Sequence, residues 1–473
     1  MKVLKYLRNR QKGDSDLFAE MYRGKLVYDH SESQWYNFNG SIWEADDHGK
    51  IIHRLEKVAA TYETAINKAK DLDDGTRRYY RSRVNALRDF GKAHQVLKFA
   101  ATKLPLTQEW DSNPYLLAVK NGVLDLKTGK LRDGEPEDYI RKCSEVEWKG
   151  IEEKAPRFEL FLSEIFDNNV EVIEFIKRMF GYAITGLCAE HVFPVFYGAE
   201  GRNGKDTLLK LICKILGKSF ASPVSKEVLL SGMKNPGASA PFLFELQGKR
   251  LVYADETSEG SSFDEGQIKM ISGGAPFQAK KLYNQPTTIE PQYLIIMTTN
   301  DKPNIRSDDP AIWERIILIE FNQRFIEHPE FPNEHKVDKF LDDKLQAEMS
   351  GVLAWLVQGC LEWQEHKSFL IPDSVRYSTD TYRDEADIIG KFIKEMLVIE
   401  EGTKCYSVRI RQLYEQWITE EGSKLNKRNF ARKMKSKFTR KRDGKGYYYE
   451  GVHCKAENDS EVEALLKLAK KKD

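Results

Sequence analysis

The stretch that most constrains the fold of this chain covers residues 192–209 and reads VFPVFYGAEGRNGKDTLL. An apolar run predicts a buried strand, a glycine-rich loop follows it, and an apolar helix comes after Gly204 and Lys205. Glycines let backbone N–H groups converge on phosphate oxygens, a helix N-terminus attracts anions, and a lysine reaches the β- and γ-phosphates. The stretch therefore predicts a phosphate-binding loop in an α/β domain, with ATP and Mg²⁺ as the expected cofactors.

The loop departs from the usual pattern at two positions. Gly198 lies one residue earlier than the common spacing, and Asp206 stands where a Ser or Thr hydroxyl normally holds Mg²⁺. Two residues are candidates for the Mg²⁺ ligand. Thr207 would bind the metal if the loop shifts by one residue, and Asp206 could bind it directly. The residues predicted to bind ATP are Gly198, Gly201, Asn203, Gly204, Lys205, Asp206 and Thr207.

Two further apolar runs end in polar residues suited to hydrolysis. Residues 251–254 precede Asp255 and Glu256, which would hold Mg²⁺ and orient or deprotonate the attacking water, respectively. Residues 293–299 end at Asn300, whose amide could touch the γ-phosphate or that water. The predicted metal ligands are therefore Asp255 together with Thr207 or Asp206.

An arginine completes the predicted catalytic set. Arg315 precedes the apolar run 316–321, and we expect it at a subunit edge, where it would stabilise transition-state charge in a neighbour's site. Arg306 and Arg324 are nearby alternatives. The predicted catalytic residues are Lys205, Asp255, Glu256, Asn300 and Arg315.

Composition limits the class of protein. The 473 residues suggest about three domains. No N-terminal stretch resembles a signal peptide and no apolar run is long enough to span a bilayer, so we expect a cytoplasmic protein. The six cysteines are scattered without a C-x-x-C pair, which supports neither a zinc ribbon nor a disulfide framework. The net charge of +1 gives no argument for nucleic acid over the whole chain, but the charge is unevenly placed.

The predicted organisation is multidomain α/β. Residues 1–150 form an α+β domain, with a hairpin at Asn39-Gly40, helices over 51–103 and strands around Asn121-Gly122. Residues 151–365 form the nucleotide-binding domain and 366–385 a linker, in which residues 368–380 read as a loop broken by Pro372. Residues 386–473 form a third domain. The hairpin aromatics are expected to pack more readily than to stack on bases.

Two segments are candidates for DNA binding. Residues 278–286 suggest a hairpin, in which Lys280 and Lys281 would contact phosphates and Tyr283 would stack on a base. A solvated basic turn is the simpler alternative.

Residues 424–442 carry ten basic residues and no acidic one. An amphipathic helix lies upstream and a tyrosine-rich hairpin downstream, which favours a winged helix-turn-helix with residues 429–437 as the reading helix. A solvated or ring-assembly face is the alternative. Residues 462–468 suggest a short amphipathic tail helix. The predicted contacts are Lys427, Arg428, Arg432, Lys433, Lys435 and Lys437.

The combined motifs resemble those of superfamily 3 helicases. They are most similar to the helicase part of phage and plasmid primase-helicases related to the poxvirus primase-helicase and the satellite-phage alpha protein. The chain's size and missing primase module also resemble replication initiators of staphylococcal pathogenicity islands. The residues that carry the likeness are NPYLLAVKNGVLDLKTGKL (113–131), YGAEGRNGKDTL (197–208), GKRLVYADET (248–257), ISGGAPFQAKKLY (271–283), TTNDKP (298–303) and DDPAIWERIILIEF (308–321).

The resemblance implies an AAA+ core of the superfamily 3 type and a hexameric homo-oligomer that moves on single-stranded DNA and unwinds duplex. It implies a replicative helicase and replication initiator of a phage, plasmid or mobile island, with an origin sequence and host replication proteins as further partners and no membrane. An ATP-gated origin-binding protein without processive unwinding is the alternative that Asp206 favours. A third reading is a full primase-helicase, or the helicase part of one. The carboxylates of residues 71–75 superficially resemble a polymerase carboxylate pair, but they read more simply as a turn, and no zinc site accompanies them.

Overall fold

The computed structural model of the chain describes residues 2–231, 241–254, 262–279, 287–305, 309–420 and 427–455. It is a mixed α/β, multidomain structure with one parallel sheet and several small sheets, all but one of them antiparallel. Among the described residues, no helix is both long and apolar enough to cross a membrane. The predicted tail helix at residues 462–468 lies outside the described residues.

The first part of the chain is helical with two three-stranded antiparallel sheets, β1-β2-β3 and β4-β5-β6. Its elements are α1 (Lys2–Arg8), α2 (Arg10–Tyr22), β1 (Leu26–Asp29), β2 (Gln34–Phe38), β3 (Trp43–Ala45), α3 (Leu55–Lys68), α4 (Asp74–Ala86), α5 (Phe90–Ala101), β4 (Leu116–Val119), β5 (Gly122–Asp125) and β6 (Lys130–Arg132). Short 3₁₀ turns cover Lys50–Arg54 and Pro136–Asp138.

Both predicted hairpins of this part are confirmed. Phe38 faces Trp43 across the turn that contains Asn39 and Gly40, and Val119 faces Gly122 across the second turn. Gly122 has a φ of +150°, and a Cβ there would lie 2.6 Å from the carbonyl oxygen of Arg132, so only glycine fits. The carboxylate of Asp73 accepts a hydrogen bond from the Thr76 amide and caps α4. The turn expected at residues 71–75 is therefore confirmed only before the helix, because Asp74 and Gly75 already belong to the first turn of α4.

The central part is built around a five-stranded parallel sheet in the order β13-β7-β12-β9-β8. Its elements are α6 (Pro156–Ile165), α7 (Val170–Ala183), β7 (Phe193–Tyr197), α8 (Lys205–Phe220), β8 (Ala221–Val224), α9 (Pro241–Glu245), β9 (Leu251–Ala254), α10 (Glu265–Ile271), β10 (Phe277–Ala279), β11 (Thr287–Ile289), β12 (Leu294–Thr299), α11 (Pro310–Trp313), β13 (Ile316–Glu320), β14 (Arg324–Ile326), β15 (Glu334–Lys336), α12 (Leu341–Ala347), α13 (Met349–His366) and α14 (Asp373–Ala386). A 3₁₀ turn covers Lys226–Val228.

Both faces of this sheet are covered. Every residue of β12 is buried, and its alternate side chains enter two different apolar cores. Leu294 and Ile296 belong to the first core, and Ile295 and Met297 belong to the second. A continuous apolar run of this kind is typical of a parallel strand with helices on both sides. The sheet is therefore the middle layer that positions the loops at its carboxyl edge.

The small sheet β4-β5-β6 shares the first of these cores. Leu117, Leu124 and Trp148 belong to the same apolar cluster as helices α7, α8 and α13. Arg250 is buried and donates hydrogen bonds to the carbonyl oxygens of Ile184 and Leu116, both at 2.5 Å, which ties that sheet to the central one. The domain boundary at residue 150 stays a prediction.

The prediction of a loop over residues 368–380 is wrong beyond Pro372, where helix α14 begins. Pro372 is the N-terminal cap of α14, so the proline starts a helix where the sequence suggested only a break. Val375 and Tyr382 are buried, and the hydroxyl of Thr379 accepts a hydrogen bond from the Leu318 amide in β13. Because polar residues dominate α14, its helical character depends on this packing against the sheet.

The last part combines helices with the antiparallel sheet β16-β18-β17. Its elements are α15 (Ile388–Met396), β16 (Leu397–Tyr406), α16 (Ser407–Glu420), α17 (Lys427–Lys437), β17 (Arg440–Asp443) and β18 (Gly446–Cys454). Phe392, Tyr414, Trp417 and Phe430 form the centre of its own apolar core. The predicted amphipathic helix, basic helix and tyrosine-rich hairpin are all confirmed as elements.

Candidate functional site

The glycine-rich loop connects β7 to α8 and begins at the carboxyl edge of the parallel sheet. Gly204 precedes the helix with a φ of +88°, and a Cβ at this position would lie 2.5 Å from Cγ2 of Ile165. A Cβ at Gly198 would lie 1.9 Å from the side-chain Nδ2 of Asn203 and 2.9 Å from the carbonyl oxygen of Phe321. Gly201, in contrast, has open space around it. Two of the three predicted glycines are therefore required by close packing.

Neighbouring groups hold the loop in its shape. The Asn203 side chain is buried and donates to the carbonyl oxygen of Glu200 at 2.7 Å. From β14, the Phe325 amide donates to the carbonyl oxygen of Arg202 at 2.8 Å, and the Arg324 guanidinium lies 3.0 Å from the Glu200 carboxylate. A loop fixed in this way is preorganised to present backbone amides to an anion.

Lys205 and Asn300 meet at the centre of the candidate site. Lys205 is 4% exposed, and its ammonium donates to the side-chain oxygen of Asn300 at 2.5 Å and to the carbonyl oxygen of Gly198 at 3.5 Å. Strands β7 and β12 are parallel neighbours with Tyr197 opposite Thr299. Asn300 and the loop that leads to Lys205 therefore both begin at the same edge of the sheet. The structure thus brings together two predicted site residues that are 95 positions apart.

Two predicted catalytic carboxylates, Asp255 and Glu256, lie outside the described residues. The described part of β9 ends at Ala254, which pairs with Met297 of β12. In the sequence, Asp255 follows Ala254 directly. Their roles remain predictions.

Asp206 and Thr207 both lie in the first turn of α8, with Asp206 exposed and Thr207 partly buried. Each supplies an oxygen of the kind that Mg²⁺ prefers, and a metal held largely by phosphates and water needs only one or two protein ligands. Within the described ranges, no three His, Cys, Asp or Glu side chains cluster as a metal site. The donor set fits a metal bound together with a nucleotide, and the choice between the two residues stays open.

Arg315 lies at the opposite edge of the sheet from its own chain's phosphate loop. It precedes β13, and its carbonyl oxygen accepts from the Phe193 amide at the start of the parallel strand β7. The loop begins at the far end of β7, which at about 3.3 Å per residue places the two roughly 15–20 Å apart. The Arg315 guanidinium donates to the carbonyl oxygen of Ala311 at 2.6 Å. Nearby, the hydrogen bond from Lys269 lowers the pKa of the Asp309 carboxyl.

The two alternative arginines differ from Arg315. Arg306 lies outside the described residues. Arg324 contacts Glu200 in the loop of the same chain and also lies 3.2 Å from the Glu334 carboxylate. The sequence indicated Arg324 only as an alternative to Arg315, because no local sequence pattern shows that β14 contacts the phosphate loop.

The hairpin predicted within residues 278–286 is present at its base. β10 and β11 pair antiparallel, with Phe277 opposite Ile289 and Ala279 opposite Thr287. Lys280, Lys281 and Tyr283 lie outside the described residues, so their contacts with DNA remain a prediction.

The basic helix α17 is confirmed, and its cations fall into two groups. Arg432, Lys435 and Lys437 are exposed, whereas Lys433 is buried and forms an ion pair with Asp387. A buried, paired ammonium cannot at the same time contact a DNA phosphate, which argues against the DNA role predicted for Lys433. Lys427 and Arg428 belong to α17, but their side chains are not described.

The neighbouring hairpin adds cations that the predicted contact set omitted. The Arg440 guanidinium lies 3.8 Å from the centre of the Tyr447 ring, and that of Arg442 lies 5.3 Å from it. The available signal was the run of three consecutive basic residues in the sequence RKRD, since alternate residues of a strand share one face. Exposed arginines stacked on an aromatic ring are common in surfaces that bind single-stranded nucleic acid.

Two sequence families match the chain. A family described as D5 N terminal like matches residues 15–167, and a family of unknown function, DUF5906, matches residues 196–315. A candidate helicase of Acanthamoeba polyphaga mimivirus is 26% identical over 410 residues, which cover 80% of this chain and 42% of that protein. A candidate primase of African swine fever virus is 24% identical over 306 residues, or 62% of this chain and 32% of that protein.

The chain is thus similar in sequence to viral proteins named as helicases and primases, which supports a relationship to the phage and viral primase-helicases. It spans less than half the length of either relative described above. The solved A-form apo structure of the NrS-1 C-terminal region aligns with a TM-score of 0.49 and 11% sequence identity, over 91% of this chain and 96% of that one.

Proposed function

We propose that the chain is an ATP-dependent replicative DNA helicase with an AAA+ core of the superfamily 3 type. It would serve as a replication initiator of a phage, plasmid or mobile island. The observation that supports this most is the contact between Lys205 and Asn300 beside a preorganised glycine loop, because it joins a phosphate-binding cation to a polar residue on the adjacent strand. The similarity to relatives named as helicases supports the same activity.

In this proposal the chain's own groups bind and orient the nucleotide. Amides of the loop that contains Gly198, Gly201, Asn203 and Gly204 hold phosphate oxygens, and Lys205 neutralises the β- and γ-phosphates. Asp255 and either Thr207 or Asp206 hold Mg²⁺, which supplies positive charge at the phosphates when bound. Glu256 orients or deprotonates the attacking water, and Asn300 positions that water or the γ-phosphate.

Arg315 would act on the nucleotide of a neighbouring subunit. Its position at the sheet edge opposite to its own phosphate loop supports a role in trans. A closed ring of identical subunits gives each site such an arginine, and we propose a homohexamer. Arg324, which contacts its own loop, would support the site in cis.

DNA would be bound at two places. Lys280, Lys281 and Tyr283 would line the channel of the ring and hold single-stranded DNA through phosphates and base stacking. Residues 386–473 would form a winged helix-turn-helix with α17 as the reading helix and Lys427, Arg428, Arg432, Lys435 and Lys437 as contacts. The exposure of the last three of these side chains supports that surface. Duplex DNA of an origin would bind there.

The test is ATP hydrolysis with and without single-stranded DNA, for the wild type beside Lys205→Ala and Lys210→Ala. Lys210 lies exposed on the same helix α8, so its replacement is a matched control for the loss of one lysine. We expect DNA-stimulated turnover in the wild type and in the control, and none with Lys205→Ala. Unwinding of a forked duplex by the wild type would then show coupling to DNA.

A second candidate function is an ATP-gated origin-binding protein without processive unwinding. The exposed carboxylate of Asp206 in the first turn of α8 favours it, because a negative charge there would weaken phosphate binding or slow turnover. Nucleotide binding without turnover in the wild type would support it.

The helicase part of a longer primase-helicase is a third candidate, supported by the similarity to a relative named as a primase. In that case residues 1–150 would form a collar or DNA-associated domain, residues 151–365 the motor, and residues 366–385 the connection to the last domain. Primer synthesis by the chain on a single-stranded template would support a priming activity of its own.

A further inference from the structure

A cleft of about 420 Å³ opens beside the phosphate loop. Its walls come from the turn between α6 and α7, from the carboxyl end of β13 and from the first turns of α14. A volume of this size falls in the range of small-molecule sites. Its lining includes Ile165, Asp167, Glu320, Asn322, Val375 and Ser378.

The cleft and the phosphate loop share structural elements. Ile165 lines the cleft and also packs against Gly204, where a Cβ would lie 2.5 Å from it. Glu320 lines the cleft and pairs in register with Tyr197, the residue before the loop. The Phe321 amide donates to the carbonyl oxygen of Tyr197 at 2.7 Å. A ligand whose phosphates lie on the loop could therefore extend into the cleft.

The lining of the cleft suits a flat heterocycle better than a phosphate. Ile165 and Val375 provide apolar walls, and Asn322 and Ser378 provide hydrogen-bonding groups. Asp167 and Glu320 add two carboxylates, which would repel phosphate oxygens but accept hydrogen bonds from ring or exocyclic N–H groups. Lys205 lies on the other side, at the loop. The charges thus orient a nucleotide with its phosphates at Lys205 and its base in the cleft.

We propose that this cleft binds the nucleobase of the nucleotide held by the phosphate loop, with Asn322 and Ser378 as residues that contact the base edge. The proposal rests on the proposed nucleotide site. It also gives α14 a role, because this helix forms one wall of the cleft and leads directly to the last part of the chain. Base binding would then add to the packing of α14 on β13 that the Leu318–Thr379 hydrogen bond already provides.

The test compares ATP with inorganic tripolyphosphate, which has the same chain of phosphates and no base. Binding of each with Mg²⁺ is measured by titration calorimetry on the full chain, for the wild type, Ser378→Trp and Tyr377→Trp. Ser378→Trp would fill the cleft, whereas Tyr377 is 74% exposed on the same helix and serves as the control. We expect Ser378→Trp to weaken ATP binding at least about tenfold. Tripolyphosphate binding should stay unchanged, and Tyr377→Trp should alter neither.

Each other result overturns the inference in a recognisable way. ATP binding by Ser378→Trp at wild-type strength would mean that the base lies elsewhere, with the phosphate site intact. A wild type that binds neither ligand would overturn the nucleotide site itself and this inference with it. If Ser378→Trp fails to fold, Asn322→Ala replaces it. The preference of Asn322→Ala for ATP over tripolyphosphate should fall several-fold, and an unchanged preference would overturn the proposal.

Discussion

Lys433 of the basic helix α17 forms an ion pair with Asp387, the residue that caps the start of α15. The Lys433 side chain is 8% exposed and the Asp387 side chain 29%. The same Asp387 carboxylate accepts a hydrogen bond from the Gly390 amide at 2.7 Å. One member of the basic run therefore supports the packing of α17 on α15, while its neighbours face solvent.

Replacing Lys433 should reduce stability, and replacing Lys435 should not. Lys433→Ala leaves a partly buried carboxylate without its partner, and we expect a loss of about 2 kcal/mol, below the value for a fully buried pair. Lys435→Ala at an exposed position should change stability by less than about 0.5 kcal/mol. Urea unfolding measures both variants. Equal effects would contradict the division of the basic run into two groups.

The same exposed lysine gives a prediction for DNA binding. If α17 is the reading helix, Lys435→Ala should weaken duplex binding and lower the dependence of the affinity on salt by about one phosphate contact. Fluorescence anisotropy at several salt concentrations measures this. Lys210→Ala, which removes an exposed lysine from α8, is the control for the loss of one positive charge. An unchanged salt dependence would favour the alternative that the basic face of α17 takes part in ring assembly and not in DNA binding.

Asn300→Ala should separate nucleotide binding from hydrolysis. The Asn300 amide contacts Lys205 at the candidate site, and loss of one positioned polar group costs about 10²-fold in kcat at sites of this kind. We expect ATP binding to remain within a few-fold of the wild type by calorimetry. Asn300→Asp should bind ATP more weakly, since an added carboxylate would pair with Lys205 and repel phosphates. Full turnover by Asn300→Ala would remove this residue from the catalytic set.

Mixing experiments distinguish the roles of Arg315 and Arg324. Arg315→Ala and Lys205→Ala should each be inactive alone, but mixed rings should regain turnover because about a quarter of the sites combine an intact lysine with a neighbour's intact arginine. Arg324→Ala mixed with Lys205→Ala should regain nothing, since both residues are needed within one chain. Recovery in the second mixture and not in the first would reverse the assignment.

Metal dependence should reveal which residue of the α8 first turn binds Mg²⁺. Chelation by EDTA should abolish ATP turnover, and added Mg²⁺ should restore it. If Thr207 is the ligand, Thr207→Ala raises the Mg²⁺ concentration needed for half-maximal turnover, whereas Asp206→Ser leaves it nearly unchanged. The opposite pattern would assign the metal to Asp206. Titration of turnover against Mg²⁺ decides between them.

Cys405 should be more reactive at neutral pH than the thiols of Cys188 and Cys360. A hydrogen bond with Cys454, whose sulfur lies 3.4 Å away, lowers the pKa of the Cys405 thiol. Burial raises the pKa of Cys188 to about 11 and that of Cys360 to about 12. Because the thiolate is the reactive form, Cys405 should be alkylated at a lower pH than Cys188 or Cys360.

Peptide mass spectrometry after brief iodoacetamide treatment measures this reactivity. Cys454→Ala removes the hydrogen bond, so the pKa of Cys405 should return towards about 8.5 and alkylation at pH 7 should slow several-fold. Equal rates in the wild type and the variant would show that Cys454 does not activate Cys405.

Local sequence signals were sufficient for many elements of this fold. The apolar run that ends at Tyr197 predicts a strand, and the turn at Gly122 predicts a hairpin, each within a few residues of its place in the structure. The spacing of Phe430, Met434 and Phe438 predicts a helix in the same way. The glycine loop and Lys205 were likewise visible. These features depend on neighbours in the chain, so the sequence alone carries them.

Contacts between distant segments were decided only by the tertiary structure. The order and direction of the central strands place Asn300 beside Lys205 and Arg315 at the far edge of the sheet. Arg324, in the separate sheet β14-β15, reaches the loop through its contact with Glu200, and no local pattern encodes either arrangement. The burial of Lys433 and the helix after Pro372 likewise follow from packing against other elements. The sequence by itself determined which residue types were available for phosphate binding. Long-range packing decided which of them meet, because burial and strand pairing are properties of the assembled core.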